Sequence, residues 1–274
     1  ANATEVSPEG MTLYFFPASD KEQIWRYDIS GPGGGPVELP AGRYRMVAFN
    51  SDLPGILISG KESYSGISAS ARRNSSGKYI MPTGMLYGAT VSELEVTLCG
   101  VRYRDSNGTV KECGQSVVRC LPDSLSTIFT VIFKNVSGLE HAASATAIIH
   151  GVAAGIKLAD RVPDGDGAAL ASQLSLNTAG REMNSVSSAF YPSDPTGTTL
   201  QLIVTCRDGK TYSHNFDITP QLLNSPSKHN VIIMIDSISI PEGDPTDPDD
   251  EVGDIDVGVD GWSPIEIDVG VTLP

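Results

Sequence analysis

Short runs of β-forming residues recur along this chain about every ten residues, each closed by glycine or proline. That rhythm points to an antiparallel sandwich or barrel and away from βαβ units. Met11 to Phe16 ends at Pro17, and Ile24 to Ile29 alternates apolar and polar residues as a half-buried strand does. The glycine-rich stretch Gly31 to Pro36 makes a turn, and Val37 to Leu39, Tyr44 to Phe49, Ser63 to Ala69, Met85 to Tyr87 and Glu93 to Leu98 continue the series. Ser126 to Val136 reads as a long strand rich in β-branched and aromatic residues. Thr199 to Cys206 and Thr211 to Phe216 flank Asp208-Gly209, a hairpin signal. Asn230 to Asp236 is apolar on both faces and predicts a central strand. With 28 Gly and 18 Pro in 274 residues, long helices are not expected.

Two stretches are less regular. Leu139 to Ala154 is alanine-rich and fits a helix or a strand equally, and Asp160 to Ala189, poor in aromatic residues, reads as an irregular connection. The pattern divides into β-rich blocks at 1–121 and 122–241, with the boundary at Leu121-Pro122. Residues 242–261 differ in kind. From Glu242 to Asp260 there are nine acidic side chains and no basic one, so like charges repel and little apolar surface is available for burial. An extended acidic linker is expected there. Beyond it, 262–274 contains a strict alternation, Ile265, Ile267, Val269 and Val271, with polar or small residues between.

The net charge of −14 argues against nucleic acid and against attraction to anionic lipid headgroups. The sequence contains no Gly-x-Ser-x-Gly, no phosphate-binding Gly-x-x-x-x-Gly-Lys-Ser/Thr and no His-Glu-x-x-His. The four histidines are scattered singly, and the acidic stretch lacks the spacing of a calcium loop. These patterns predict a non-enzymatic protein with no cofactor and no bound metal. The chain begins without an initiator Met or an apolar leader, which reads as a mature chain whose targeting segment has been removed.

The four cysteines allow three pairings and show no zinc spacing. A hairpin turning at Asp105 to Gly108 would set Cys99 roughly opposite Cys113, so a cross-strand disulfide between them is one reading. Small buried hydrophobes is the other. The terminal alternation has three readings: an edge strand of its own domain, a frayed end, or a strand added to another subunit's sheet. Strand addition is physically sound because an edge presents unpaired N–H and C=O groups while alternate side chains fill pockets.

Gly10 to Pro17, Trp25 to Ile29 and Val37 to Asn50, followed in order by Tyr103 to Thr109, Phe129 to Val136, Asp208 to Tyr212, His229 to Ile233 and Trp262 to Asp268, resemble the fimbrillin-like lipoproteins of Bacteroides-type bacteria. The resemblance implies two tandem transthyretin-like Greek-key β-sandwich domains. It further implies export, a lipidated Cys upstream of this sequence, and the outer membrane or cell surface as destination. In related fimbrial subunits a protease cuts after an early Arg and frees a groove for a neighbour's strand. Here the first basic residues are Lys21 and Arg26, which disfavours a shaft subunit and favours an anchor, accessory or tip component, or a surface protein that never polymerises. The expected partners are other fimbrial subunits or host and bacterial surface ligands, engaged through strand-mediated assembly and adhesion. The competing reading is a surface glycan-binding module of a transport or degradation system, with Tyr14, Phe15, Trp25 and Tyr27 as candidate platform residues. Strand alternation argues that most of these aromatics are core.

Overall fold

The computed structural model describes residues 8–19, 23–31, 34–104, 108–113, 117–241 and 263–264. In chain order the strands are β1 (Gly10–Pro17), β2 (Trp25–Ser30), β3 (Gly42–Asn50), β4 (Ile56–Ser59), β5 (Ser68–Ala71), β6 (Tyr87–Thr97), β7 (Gly100–Arg104), β8 (Val110–Cys113), β9 (Asp123–Ser124) and β10 (Thr127–Lys134). A single 3-10 turn at Leu139–His141 leads into β11 (Ala142–Lys157), β12 (Val162–Gln173), β13 (Ser175–Asn177), β14 (Glu182–Ala189), β15 (Thr199–Cys206) and β16 (Thr211–Asp217). A short helix α1 (Thr219–Leu223), then β17 (Asn230–Asp236) and β18 (Ser263–Pro264), complete the described elements. The all-β expectation holds.

The strands form three sheets. The first runs β2-β1-β3-β6-β7-β8, with β9 on β6. The second is β13-β14-β10-β17. The third is β18-β16-β15-β11-β5-β4, with β12 paired to β11. Phe129, Val131 and Phe133 of β10, with Val231 and Ile233 of β17, turn inward toward Ala147 and Ile149 of β11 and Leu200, Leu202 and Val204 of β15. This face-to-face packing of alternate residues is the sandwich arrangement that the period-2 pattern requires.

The sheets do not respect the expected division at residue 121. The β4-β5 hairpin lies inside 1–121, yet β5 pairs with the far end of β11, Ala69 opposite Ile156. The sixteen residues of β11 serve both halves. Ala142 to His150 pair with β15, and Gly155 to Lys157 pair with β5. Between these spans the ladder to β12 breaks register twice, and Gly151 sits there at φ 93°, a conformation only glycine adopts without strain. One contiguous apolar core therefore runs from Tyr14 and Phe49 to Ile240. A second, smaller cluster of Met11, Phe15, Tyr44, Met46, Val91 and Tyr103 lies on the opposite face of the first sheet, covered in part by Val37, Leu39 and Val118.

Two sequence expectations need correction. Residues 160–189 are not irregular: they form β12, β13 and the whole of β14. These strands are poor in β-branched residues, but long-range pairing overrides weak propensity, with β12 matched to β11 from Thr146–Gln173 to Lys157–Val162. Asn230–Asp236 is not central. It is the edge of the second sheet, parallel to β10, and Val231, Ile233 and the partly buried Ile235 face the core. Its other face carries Ile232 and Met234, 54% and 44% exposed. The ambiguous stretch from Leu139 resolves as one 3-10 turn followed by strand.

The β1-β2 ladder carries a local electrostatic feature. Thr12, buried, donates its hydroxyl to Asp28 Oδ1 at 2.6 Å across the pair Thr12–Asp28. That bond, followed by the adjacent Arg26, holds the Asp28 carboxyl below its usual value against the opposing effect of burial. A depressed carboxyl pKa contributes stability above the unfolded value, lost as pH falls through the folded one. Thr12→Val is expected to return the Asp28 pKa toward 3.8 in a carbon-13 NMR titration, flattening the acid limb of the stability profile. An Asp28 pKa unchanged in the variant would refute this assignment.

Candidate assembly interface

Strand-mediated assembly needs an edge, so each sheet edge is a candidate. The outer strands of the first sheet are β2 and β8. In the second sheet β17 is the longer edge. His229 C=O accepts from Ile128 N–H, and Ser237 N–H donates to Lys134 C=O, so the intervening odd residues bond inward and Asn230, Ile232 and Met234 point outward. The Gln221 amide of α1 closes that edge at Met234, donating to its carbonyl at 3.1 Å and accepting from its N–H at 2.8 Å. A side-chain amide thus stands where a neighbouring strand's peptide group would, a device that blunts an edge.

The third sheet offers β16. Here Ser263–Pro264 forms an antiparallel pair, Pro264 opposite Tyr212 and Ser263 opposite Ser213. Ile240 lies beside Ser137 and Gly138, whereas Ser263–Pro264 belongs to the sheet on the other side of the sandwich. The candidate assembly residues Ile265, Ile267, Val269 and Val271 lie outside the described residues, as does the acidic stretch 242–261. What the structure supplies is the position of the two residues immediately before the alternation.

The expected hairpin around Asp105–Gly108 forms as β7 and β8, but its register pairs Cys113 with Val101. Cys99 sits instead in the β6-β7 turn, exposed and unbonded, and the Cys113 side chain lies outside the described residues. The hairpin centre falls one residue later than the turn sequence suggests, and this displaces the expected opposition of Cys99 and Cys113. Cys206 is buried and Cys120 half-buried, both free, and burial pushes both thiols up, away from the reactive thiolate. The candidate platform aromatics are packed: Tyr14 and Phe15 are buried, and half-buried Trp25 and Tyr27 lie against the smaller core cluster.

One feature escaped the sequence reading. At the outer end of the first sheet an open cleft of about 460 Å³ is lined by Arg43 and Arg45 of β3, Glu93 and Glu95 of β6, Arg102 and Arg104 of β7, and Val110 of β8. Arg104 Nε bonds Glu93 at 3.1 Å, and Arg43 Nε lies 3.6 Å from Glu95. Arg45 places its guanidinium 4.7 Å from the Tyr64 ring centroid, a cation–π contact. The signal was in the sequence as three like-charged pairs spaced by two, the spacing that puts both members on one face of a strand.

Comparison with known proteins places this architecture. A fimbrium anchoring subunit of Bacteroides ovatus, Fim4B, is 31% identical over 100 residues, which is 34% of this chain and 29% of that protein's length, so this chain matches less than a third of it. Among solved structures, an adhesin from Bacteroides ovatus superimposes with a TM-score of 0.67 at 18% identity, covering 88% of this chain and 89% of its own. The fimbrial anchor protein Mfa2 from Porphyromonas gingivalis gives 0.53 at 10% identity, with 84% and 82% covered. At these identities the structural matches speak for a shared β-sandwich fold. The family model described as a domain of unknown function, DUF5119, matches residues 1–170, more than half of the sequence, and the chain belongs to that family.

Proposed function

We propose that this chain is a non-enzymatic subunit of a bacterial surface fimbria, an anchor, accessory or tip component, that assembles by lending its terminal strand to a partner subunit. The observation that carries the reading is the pairing of Ser263–Pro264 with β16. A strand continuing that register would set Ile265 against Thr211 and reach the Arg207–Gly209 turn by Ile267. Ile267, Val269 and Val271 would then have no backbone partner in their own sheet, while their alternation suits the edge of another. The fold shared with an adhesin and a fimbrial anchor, and the partial match to an anchoring subunit, support the same reading. Its partners are other fimbrial subunits or surface ligands, and its location is the cell surface, held at the outer membrane by a lipid upstream of this sequence.

Deletion of residues 262–274 tests this reading. The truncated chain is expected to keep its far-ultraviolet dichroism, because β16 retains its long pairing with β15, and to lose self-association and co-purification with neighbouring fimbrial subunits. Equal association of truncated and intact chains by sedimentation velocity would refute the strand's role.

A further inference from the structure

We propose that the arginine-lined cleft on the first sheet is a docking site for the acidic segment 242–260 of a second copy of this chain. The inference deepens the assembly reading and rests on it only for the idea that subunits associate.

Charge is the first argument. The chain carries a net −14, and nine of its acidic side chains fall between Glu242 and Asp260 with no basic residue among them. The cleft gathers four guanidinium groups, Arg43, Arg45, Arg102 and Arg104, on one face of three adjacent strands. The described carboxylates in it are Glu93 and Glu95, and Glu112 stands opposite Arg102 in the ladder, so cations outnumber anions even with all three counted. Glu93 and Glu95 orient Arg104 and Arg43 without consuming them, since Arg43 stays 77% exposed and Arg104 40%. A guanidinium held by one carboxylate keeps further donors for a second. An open, solvent-reachable cleft suits an extended carboxylate-rich peptide better than a small enclosed ligand.

Geometry decides which copy supplies the peptide. The cleft lies at the Lys157 end of β11: Arg45 stacks on Tyr64, whose loop carries the Ile67 carbonyl that accepts from Leu158 N–H. Both anchors of the acidic segment lie toward the Ala142 end. Ile240 N–H donates to Ser137 C=O just ahead of the turn into β11. Ser263 pairs with Ser213, which faces Ile203 and, one strand further, Thr146. Measured along β11 at about 3.3 Å per residue, the path is roughly 50 Å out from Ala142 and roughly 35 Å back to Thr146. The twenty-three residue spacings from Ile240 to Ser263, fully extended, reach about 83 Å at most. A chain occupying its own cleft would need more than its full length. The residues that flank the acidic segment and the arginine cleft therefore lie toward opposite ends of β11, the arrangement of a head-to-tail, heterologous contact that repeats from subunit to subunit.

The test is a titration of a fluorescent peptide of residues 242–260 into the full-length chain at low protein concentration. Receptors are the wild-type chain, an Arg43→Glu chain, and a chain whose nine acidic residues in the segment are replaced by Asn or Gln. The expected result is saturable binding that weakens at least about tenfold between about 50 and 500 mM salt, because exposed charges are screened over a few ångströms at the higher ionic strength. Arg43→Glu is expected to weaken it at least about fivefold by reversing one contact. If that variant fails to fold, the salt dependence carries the test. The wild-type and neutralised chains are expected to bind the peptide equally, because the segment does not fill its own cleft. Absence of saturable binding at low salt, indifference to Arg43→Glu in a folded variant, or much weaker binding to wild type than to the neutralised chain would each overturn the proposal. The chain lacking 262–274 retains the cleft and should bind the peptide unchanged. Failure of the terminal-strand reading and failure of this one are therefore separable.

Discussion

Truncating Phe133 to alanine is expected to cost about 3–5 kcal/mol of folding stability, the range for removing a fully buried aromatic side chain from a packed core. Phe133 is wholly buried at the end of β10, where it lies between Met183 of β14 and Ile235 of β17 in the ladders. Its ring meets Phe216 of the facing sheet at 5.9 Å between centroids, so it joins the two layers directly. The cavity left behind cannot collapse easily, because β10 is held on both sides and sheet separation is set by the remaining large side chains. Urea denaturation followed by tryptophan fluorescence and far-ultraviolet dichroism measures the loss. A midpoint shift with unchanged slope is the expected form. A loss below about 1 kcal/mol would mean that the two layers are not joined through this residue. Ile232→Ala, one face away on the same sheet and 54% exposed, is the control and should move the midpoint far less.

That contrast between Phe133 and Ile232 illustrates what the sequence shows and what it hides. Alternation reports which residues share a face, and in β10 it marks Phe129, Val131 and Phe133 as one buried set, as found. It does not report what covers the other face. The strand β17 is apolar on both sides, so it reads as central, yet one side is surface. Nor does local pattern report pairing partners. The segment Val162–Gln173 is Gly-, Ala- and Asp-rich and becomes a strand only because β11 presents a long ladder to it. The same limit hid the crossing of β5 to β11, which joins residues more than eighty positions apart and decides how the halves are tied together. The cleft was legible in principle, since Arg43 and Arg45, Glu93 and Glu95, and Arg102 and Arg104 each keep strand spacing. Their convergence was not, because it depends on β3, β6 and β7 being neighbours in that order.

Gly138→Ala is expected to destabilise the contact between the β10–β11 connection and residues 238–240, by about 2–4 kcal/mol from left-handed strain and lost hydrogen bonds together. Gly138 sits at φ 70°, and a Cβ there would approach the Ile240 carbonyl oxygen to 2.2 Å, a contact with backbone that no rotamer change can relieve. The segment Ile238–Ile240 would have to move, and with it the bonds from Ser137 N–H to Ile238 C=O and from Ile240 N–H to Ser137 C=O. Asparagine tolerates the left-handed conformation better than alanine but places its Cβ in the same position, so Gly138→Asn should not restore stability. Rescue by asparagine would show that backbone strain, and not the close approach, dominates. Amide exchange at Ser137 and Ile240 is expected to accelerate before that of β10, because those bonds open locally while Phe133 reports the global transition. The distinction matters for assembly. Residues 238–240 precede the acidic segment and the terminal strand in the chain, and Ile238 and Ile240 are both buried. In the proposed assembly, tension on the terminal strand that the Ser263–Pro264 pair with β16 does not carry reaches β10 through this link. The proposed role needs that anchor to be at least as firm as the strand contact it would support, and Gly138 lets the backbone come close enough to form it.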